Sequence, residues 1–344
     1  MKNYDEQKRH RLGYLGFYAH ETKSMFKAIY TVEEKWQVEG LIPYGDVSMS
    51  PASTILNYGQ GIFEGTKAYR TSKDRVVGFR IEENAARFAS SSERLCIPQL
   101  PEGLFLNAVQ EVVKDNSDFL PTQDQGSLYI RPLAYGDGPM LGVKASNNYT
   151  FLVYATPVGS YFKSGLKMLD TILTDKYHRI ATKSIGFAKA VGNYAGTLLP
   201  YKEITMDGFD EVIFLNSSDE NIIDEARSAN VFVLKGNVLK TPALQGSILP
   251  GITRDSTIKV ARELFDLEVY EEDVTVEDLL NGDEVFFTGT AAVVAPAGSI
   301  NYKNNKVQFE SDYNASMTKK IRDKLIDIQY ENIEDPFGWV VPLK

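Results

Sequence analysis

Apolar positions recur at two spacings along the chain, and the switch between them outlines its elements. Over 82–95, Ala85, Phe88, Ala89 and Leu95 return at helical intervals, which predicts a helix with Arg87 off its apolar stripe. Gly78-Phe79-Arg80-Ile81 before it reads as the end of a strand. A second helix is predicted over 104–114, then strands over 127–133 and 148–155. Apolar runs at 211–215 and 230–234 also read as strands, and Lys235-Gly236-Asn237 as a hairpin turn into Val238-Leu239. Leu249-Pro250-Gly251-Ile252-Thr253-Arg254-Asp255 turns into a helix over 256–265, with Ile258, Ala261, Leu264 and Phe265 on one face. Strands of unequal length mixed with helices predict an α+β protein with mixed α/β layers.

The clearest break is the stretch from Thr156 to Gly165, where Pro157, Gly159 and Gly165 follow a strand-like run. It divides the chain into an N-terminal domain over 1–156, a linker over 157–165 and a C-terminal domain over 166–344. A length of 344 residues supports two cores, and 43% hydrophobic with 24% charged residues is ordinary globular composition. Cys96 is the one cysteine, so the chain has no intrachain disulfide and no cysteine cluster for zinc, which favours a reducing cytoplasm. No stretch approaches the ~20 apolar residues of a membrane span, and the charged start of the chain lacks a signal-peptide core. A net charge of −9 argues against nucleic acid as a partner, so an anionic ligand must meet a local basic site. His10, His20 and His178 share no ligand spacing with carboxylates or with Cys96, so no metal is expected.

Four places carry candidate chemistry. Lys189 sits in the nearly uncharged run Ile185-Gly186-Phe187-Ala188-Lys189-Ala190-Val191-Gly192-Asn193-Tyr194. Desolvation there favours the neutral amine that attacks an aldehyde, although a lysine stem lying on an apolar surface has the same local sequence. Glu225 reads as a turn carboxylate before the strand that starts near Val231, able to hold a protonated pyridine nitrogen or to pair with Arg227. The helix start at Ile252-Thr253 offers free N–H groups to a phosphate, as any helix start does. Gly289-Thr290-Ala291-Ala292 adds a hydroxyl and small residues whose backbone can approach an anion, or is a plain strand-ending turn. No Gly-x-Ser-x-Gly elbow is present.

In their order these segments resemble the class IV pyridoxal-phosphate enzymes, and most closely the branched-chain amino-acid aminotransferases. The resemblance runs through Asn57-Tyr58-Gly59-Gln60-Gly61-Ile62-Phe63-Glu64-Gly65-Thr66-Lys67-Ala68-Tyr69, Glu83-Asn84-Ala85-Ala86-Arg87 and Ser127-Leu128-Tyr129-Ile130-Arg131-Pro132-Leu133. It continues through Pro157-Val158-Gly159-Ser160-Tyr161-Phe162 and the four segments just described.

The resemblance implies a fold type IV architecture like that of D-amino-acid aminotransferase, with a small N-terminal α/β domain and a larger C-terminal pseudo-barrel. It makes Lys189 the Schiff-base lysine and Tyr194 the phenol beside the cofactor O3′. Glu225 becomes the partner of the pyridine nitrogen. Arg87, Thr290 and the N–H groups of Ile252 and Thr253 would hold the phosphate, and Leu249 would pack on the ring. Ser228, Asn230 and Arg179 count among the cofactor-binding residues. Phe63, Tyr129 and Tyr161, with Tyr58, Leu141 and Val143 of a second copy, would line the apolar side-chain pocket. Arg131 and the backbone of Ala291 and Ala292 would bind substrate carboxylates. A homodimer follows, as does transamination of leucine, isoleucine and valine with 2-oxoglutarate.

Three features depart from the family pattern. Val191 and Arg227 stand where it usually has glycine, and Glu21-Thr22-Lys23-Ser24-Met25 replaces a segment that supplies a pocket aromatic. A charged Arg227 near the pocket predicts a preference for acidic or polar donors, which leucine as best donor would overturn. Ala292 and Ala295 occupy the places of the paired thiols of some animal members. A class IV enzyme acting on D-amino acids, an aminodeoxychorismate lyase and a non-catalytic cofactor-binding protein are the alternatives.

Overall fold

The computed structural model describes residues 15–159, 167–309 and 312–344. Its chain forms two compact units, Met1–Leu166 with Asp327–Lys344, and Lys167–Ile326. The C-terminal residues therefore belong to the first unit, which corrects the division at 166–344. The strand Val340–Pro342 pairs antiparallel with Val76–Phe79, and Trp339 packs edge-on against Phe79 at 5.5 Å. A three-residue strand has no readable period, so its destination is invisible in sequence.

The first unit is an antiparallel sheet of β1 (Ser24–Thr31), β2 (Lys35–Pro43), β3 (Gly61–Phe63), β4 (Thr66–Arg70), β5 (Val76–Phe79), β6 (Ser127–Gly136), β7 (Tyr149–Val158) and the C-terminal strand. The order is C-terminal strand, β5, β4, β6, β7, β1, β2, with β3 also on β6. β7 runs through Thr156 to Val158, so the strand continues into the stretch read as a break.

Side chains alternate between the two faces of a strand. On one face Phe26, Ala28, Leu128, Ile130, Ala134, Phe151 and Val153 meet the helices α2 (Ile81–Arg94) and α3 (Leu104–Asp115). Phe88 and Phe105 of those helices lie 5.5 Å and 6.4 Å from Phe151, and each ring so buried contributes about 1.5–3 kcal/mol. The opposite face carries Phe63, Lys67, Tyr129, Arg131 and Leu133, in register across β3, β4 and β6. A five-residue helix, α1 (Thr54–Tyr58), leads into β3.

The second unit holds β8 (Leu169–Thr174), β9 (Glu211–Leu215), β10 (Ile223–Ala226), β11 (Asn230–Lys235), β12 (Val238–Pro242), β13 (Glu268–Glu272), β14 (Glu284–Gly289), β15 (Val293–Tyr302) and β16 (Asn305–Gln308). They follow the order β10, β9, β8, β15, β14, β11, β12, β13, with β16 on β15. Parallel pairs β8–β9, β8–β15 and β12–β13 sit among antiparallel ones. The end strand β10 also lies against β11 and β12, so the sheet curls into a pseudo-barrel. Its helices are α4 (Val191–Ala195), α5 (Leu198–Met206), α6 (Ile252–Phe265) and α7 (Val276–Asn281), and α8 (Met317–Gln329) runs on toward the C-terminus. Among the described residues no helix is long and apolar enough to cross a membrane.

Candidate active site

Lys189 lies on the loop that enters α4, two residues before its first residue. Its Nζ donates to the phenol oxygen of Tyr194 at 3.0 Å. Asn193 ties this loop down, donating from Nδ2 to the carbonyls of Ile185 at 2.8 Å and Ala188 at 3.0 Å. The loop also presses on a neighbouring segment: a Cβ on Gly186 would stand 2.1 Å from the Ser247 carbonyl oxygen, so only glycine permits the approach. Phe187 N–H donates to the Gly246 carbonyl at 3.2 Å.

Glu225 is buried on β10, a strand residue where the sequence reads as a turn. Its ion-pair partner is Arg179 rather than Arg227. Oε1 accepts from Arg179 Nη2 and from Leu249 N–H at 3.1 Å, and Oε2 accepts from Asn230 Nδ2 at 3.3 Å. A carboxylate offers about four acceptor sites, so among the described residues one remains, on Oε2. Burial pushes the Glu225 carboxyl up to about 7, while Arg179 and the Leu249 N–H pull the other way. Lys189 is among the charges that act on it, which relates the amine and the carboxylate electrostatically.

Asn230 also donates to the Leu249 carbonyl at 2.9 Å. A Cβ on Gly251 would meet Asn230 Oδ1 at 2.0 Å, so the absent side chain makes room for that amide. Gly251 is the N-cap of α6 and makes no side-chain cap, so the helix opens on Ile252 and Thr253 without one. The helix begins at Ile252 rather than at 256. Thr290, Ala291 and Ala292 are half-buried in the tight connection from β14 to β15. Val293 closes it at φ 63°, a left-handed conformation costly for a β-branched residue and found most at functional sites. Ser228 is exposed between β10 and β11, its carbonyl oxygen 3.5 Å from where a Gly289 Cβ would stand.

In the first unit Arg87, off the apolar stripe of α2, is buried. Its Nε and Nη2 bind both oxygens of Glu64 at 2.7 Å and 2.8 Å, and Asn84 Nδ2 donates to Glu64 Oε2 at 2.7 Å. Glu64 is a residue the sequence reading passed over. Its signal was a lone carboxylate between apolar residues and glycine in Gly61-Ile62-Phe63-Glu64-Gly65.

Arg131 places its guanidinium 4.8 Å from the Phe63 ring centre and 5.3 Å from that of Tyr129. It also donates to the Tyr129 phenol oxygen at 3.2 Å. The face therefore joins apolar rings to a fixed cation. Tyr58, whose hydroxyl donates to the Leu141 carbonyl, is 40% exposed, with Leu141 at 87% and Val143 at 86%. Tyr161 and most of the 157–165 linker lie outside the described residues.

Arg227 directly follows the last residue of β10, two positions from Glu225. Its guanidinium lies 3.8 Å from the Tyr201 ring centre, with Nε 3.6 Å from the buried carboxylate of Glu211. Val191 opens α4 half-buried. Among the described residues no group of three or more His, Cys, Asp or Glu is placed to hold a metal.

Residues 61–300 match the family model of the class IV amino-transferases. A branched-chain amino acid aminotransferase 1, mitochondrial, of Humulus lupulus is 40% identical over 329 residues, covering 96% of this chain and 83% of its own. A branched-chain-amino-acid transaminase 1 of Bacillus subtilis is 37% identical over 334 residues, 95% of this chain and 94% of its own. Among solved structures, the branched-chain aminotransferase of the thermophilic archaeon Thermoproteus uzoniensis with norvaline superposes with a TM-score of 0.78 at 29% identity, covering 93% of this chain and 100% of the other. With a lysine, a buried carboxylate and a helix start brought together in the second unit, and with these relatives matched along nearly the whole length, the chain belongs to the branched-chain aminotransferases of the class IV aminotransferase family.

Proposed function

We propose that this chain transfers the amino group of leucine, isoleucine and valine to 2-oxoglutarate, giving branched 2-oxo acids and glutamate, with pyridoxal 5'-phosphate held on Lys189. The observation that carries the reading is the 246–249 segment, which braces the Lys189 loop on one side and delivers the Leu249 N–H to Glu225 on the other. The donor set fits the cofactor: an amine beside a phenol, one open acceptor site on a buried carboxylate and an uncapped helix start. When bound, the cofactor supplies an electron sink for the charge left at the substrate Cα.

With the cofactor bound, Lys189 Nζ would move the substrate Cα proton, as general base and then as general acid. Tyr194 holds that nitrogen in place through its phenol oxygen. Glu225 would hold a proton at the cofactor's ring nitrogen through the open site on Oε2. Ile252 and Thr253 N–H, Thr290 and Arg87 would hold the phosphate, and Leu249, Ser228, Asn230 and Arg179 would complete the cofactor's surroundings.

Substrate carboxylates fall to Arg131 and to the backbone of Ala291 and Ala292. The aliphatic chain falls to Phe63, Tyr129 and Tyr161, with Tyr58, Leu141 and Val143 of a second copy. The Phe63 and Tyr129 rings under Arg131 support one pocket for both an aliphatic chain and the second carboxylate of glutamate.

A panel of L- and D-amino acids, with holoenzyme and 2-oxoglutarate, tests the assignment by glutamate formation. Leucine, isoleucine and valine are expected to exceed L-aspartate and all D-donors by at least about tenfold, the discrimination one shaped pocket provides. Aspartate or a D-amino acid as best donor overturns the substrate reading, and no glutamate from any donor overturns transamination.

The exposed Tyr58, Leu141 and Val143, with Leu56 at 61% exposure, support the homodimer. Sedimentation is expected to give twice the 38.5 kDa of one chain, and a monomer rejects the shared pocket. A cytoplasmic address belongs to the same proposal, resting on the free Cys96, and cell fractionation reads it directly.

A further inference from the structure

Asp224 precedes Glu225 on β10 and is 2% exposed, a second buried carboxylate that the reaction does not use. Its Oδ1 accepts from Asn216 Nδ2 at 2.8 Å and from Ser247 Oγ at 3.1 Å. Ser247 looks both ways. Its hydroxyl serves Asp224, while its carbonyl accepts from Arg179 Nη2 at 3.3 Å, the same guanidinium nitrogen that holds Glu225. Two residues on, Leu249 N–H reaches Glu225. The two carboxylates are thus joined by one continuous path, Asp224 to Ser247 to Arg179 to Glu225, on a segment that also braces the lysine loop.

We propose that Asp224 is a positioning residue for the cofactor's ring nitrogen, fixing Ser247 and Arg179 and adding a negative charge beside Glu225. The inference rests on Glu225 as the partner of that nitrogen. The charges facing the pair are few. Arg179 and His178 come from the loop after β8, and Lys189 acts on Glu225. His178 is turned aside, with Nδ1 3.1 Å from the Leu215 carbonyl and Nε2 3.6 Å from Glu220. Asn216 and Ser247 contribute only dipoles. Arg179 is therefore the cation shared by both carboxylates, and the protonated ring nitrogen of a bound cofactor would be the second positive charge that balances two negative ones. Burial raises the Asp224 carboxyl, whereas the Asn216 and Ser247 hydrogen bonds and Arg179 lower it. Asp224 in turn raises Glu225.

Asp224→Asn keeps the shape and an acceptor for Asn216 and Ser247 but removes the charge. In the holoenzyme the pH midpoint of the visible cofactor band is expected to move down by about 0.5 unit or more, the size of one charge felt at an effective dielectric near 20. Titration of the apoprotein with pyridoxal 5'-phosphate is expected to show a several-fold higher Kd. A midpoint and Kd equal to those of the wild type overturn the proposal. Ser247→Ala keeps the charge and cuts the path. It is expected to raise Kd with little movement of the midpoint, and a wild-type Kd there overturns the positioning role even if the Asn variant fails to fold. Failure of the underlying assignment looks different, because the wild type itself then shows no lysine-bound band.

Discussion

Lys189→Ala is expected to lower turnover by at least about 10⁴-fold, since the variant loses both the covalent attachment and the general acid–base step. The visible band of the lysine-bound cofactor should be absent from the variant at every pH. Folding is expected to survive the change. The loop is held by Asn193 on the Ile185 and Ala188 carbonyls and by Gly186 against Ser247, and none of these contacts uses the lysine side chain. Glutamate formation from leucine and 2-oxoglutarate measures the loss. Retained activity above about one part in a hundred, within the range a general acid–base group alone supplies, would remove Lys189 from the centre of the mechanism.

The fold and the site were legible to different degrees, for physical reasons that particular residues show. β9 and the β11–β12 hairpin were readable because a short apolar run flanked by turn residues has few other uses. β1 and β2 were not. Their register shifts between Lys27 and Ala28, opposite Gly40 at φ 80°, and a bulge breaks the two-residue period on which strand reading depends. Lys189, Glu225 and the Ile252 helix start were singled out by the order of weak motifs along the chain. What no local window could contain was the pairing: Glu64 with Arg87, and Arg179 with Glu225 across 46 positions. Arg227 shows the same limit. Its sequence neighbourhood gives no sign of its partners Glu211 and Tyr201, which are separated from it along the chain and close only after folding.

Glu225→Gln is expected to separate catalysis from stability in opposite directions. With cofactor, the glutamine amide cannot hold a proton on the ring nitrogen as a carboxylate does, and turnover is expected to fall by about 10²–10³, as when one preorganised electrostatic partner is removed. In the apoprotein the sign reverses. The carboxyl rises from 4.5 to about 7 on folding, so its favourable contribution is fully present below 4.5 and is lost as pH rises through about 7. Above that pH the ionised group opposes folding by roughly 3 kcal/mol, at about 1.4 kcal/mol per unit. Glutamine resembles the protonated acid and keeps an acceptor for Arg179 and Leu249. Its amide nitrogen then faces Asn230 Nδ2, which costs on the order of 1 kcal/mol. Apo Glu225→Gln should therefore be more stable than wild type by roughly 2 kcal/mol at pH 8, and the difference should shrink toward pH 5. Denaturant melts of both apoproteins at the two pH values decide the point. A stability difference independent of pH would mean that Glu225 is not the buried, strained carboxylate whose cost the cation of the bound cofactor relieves.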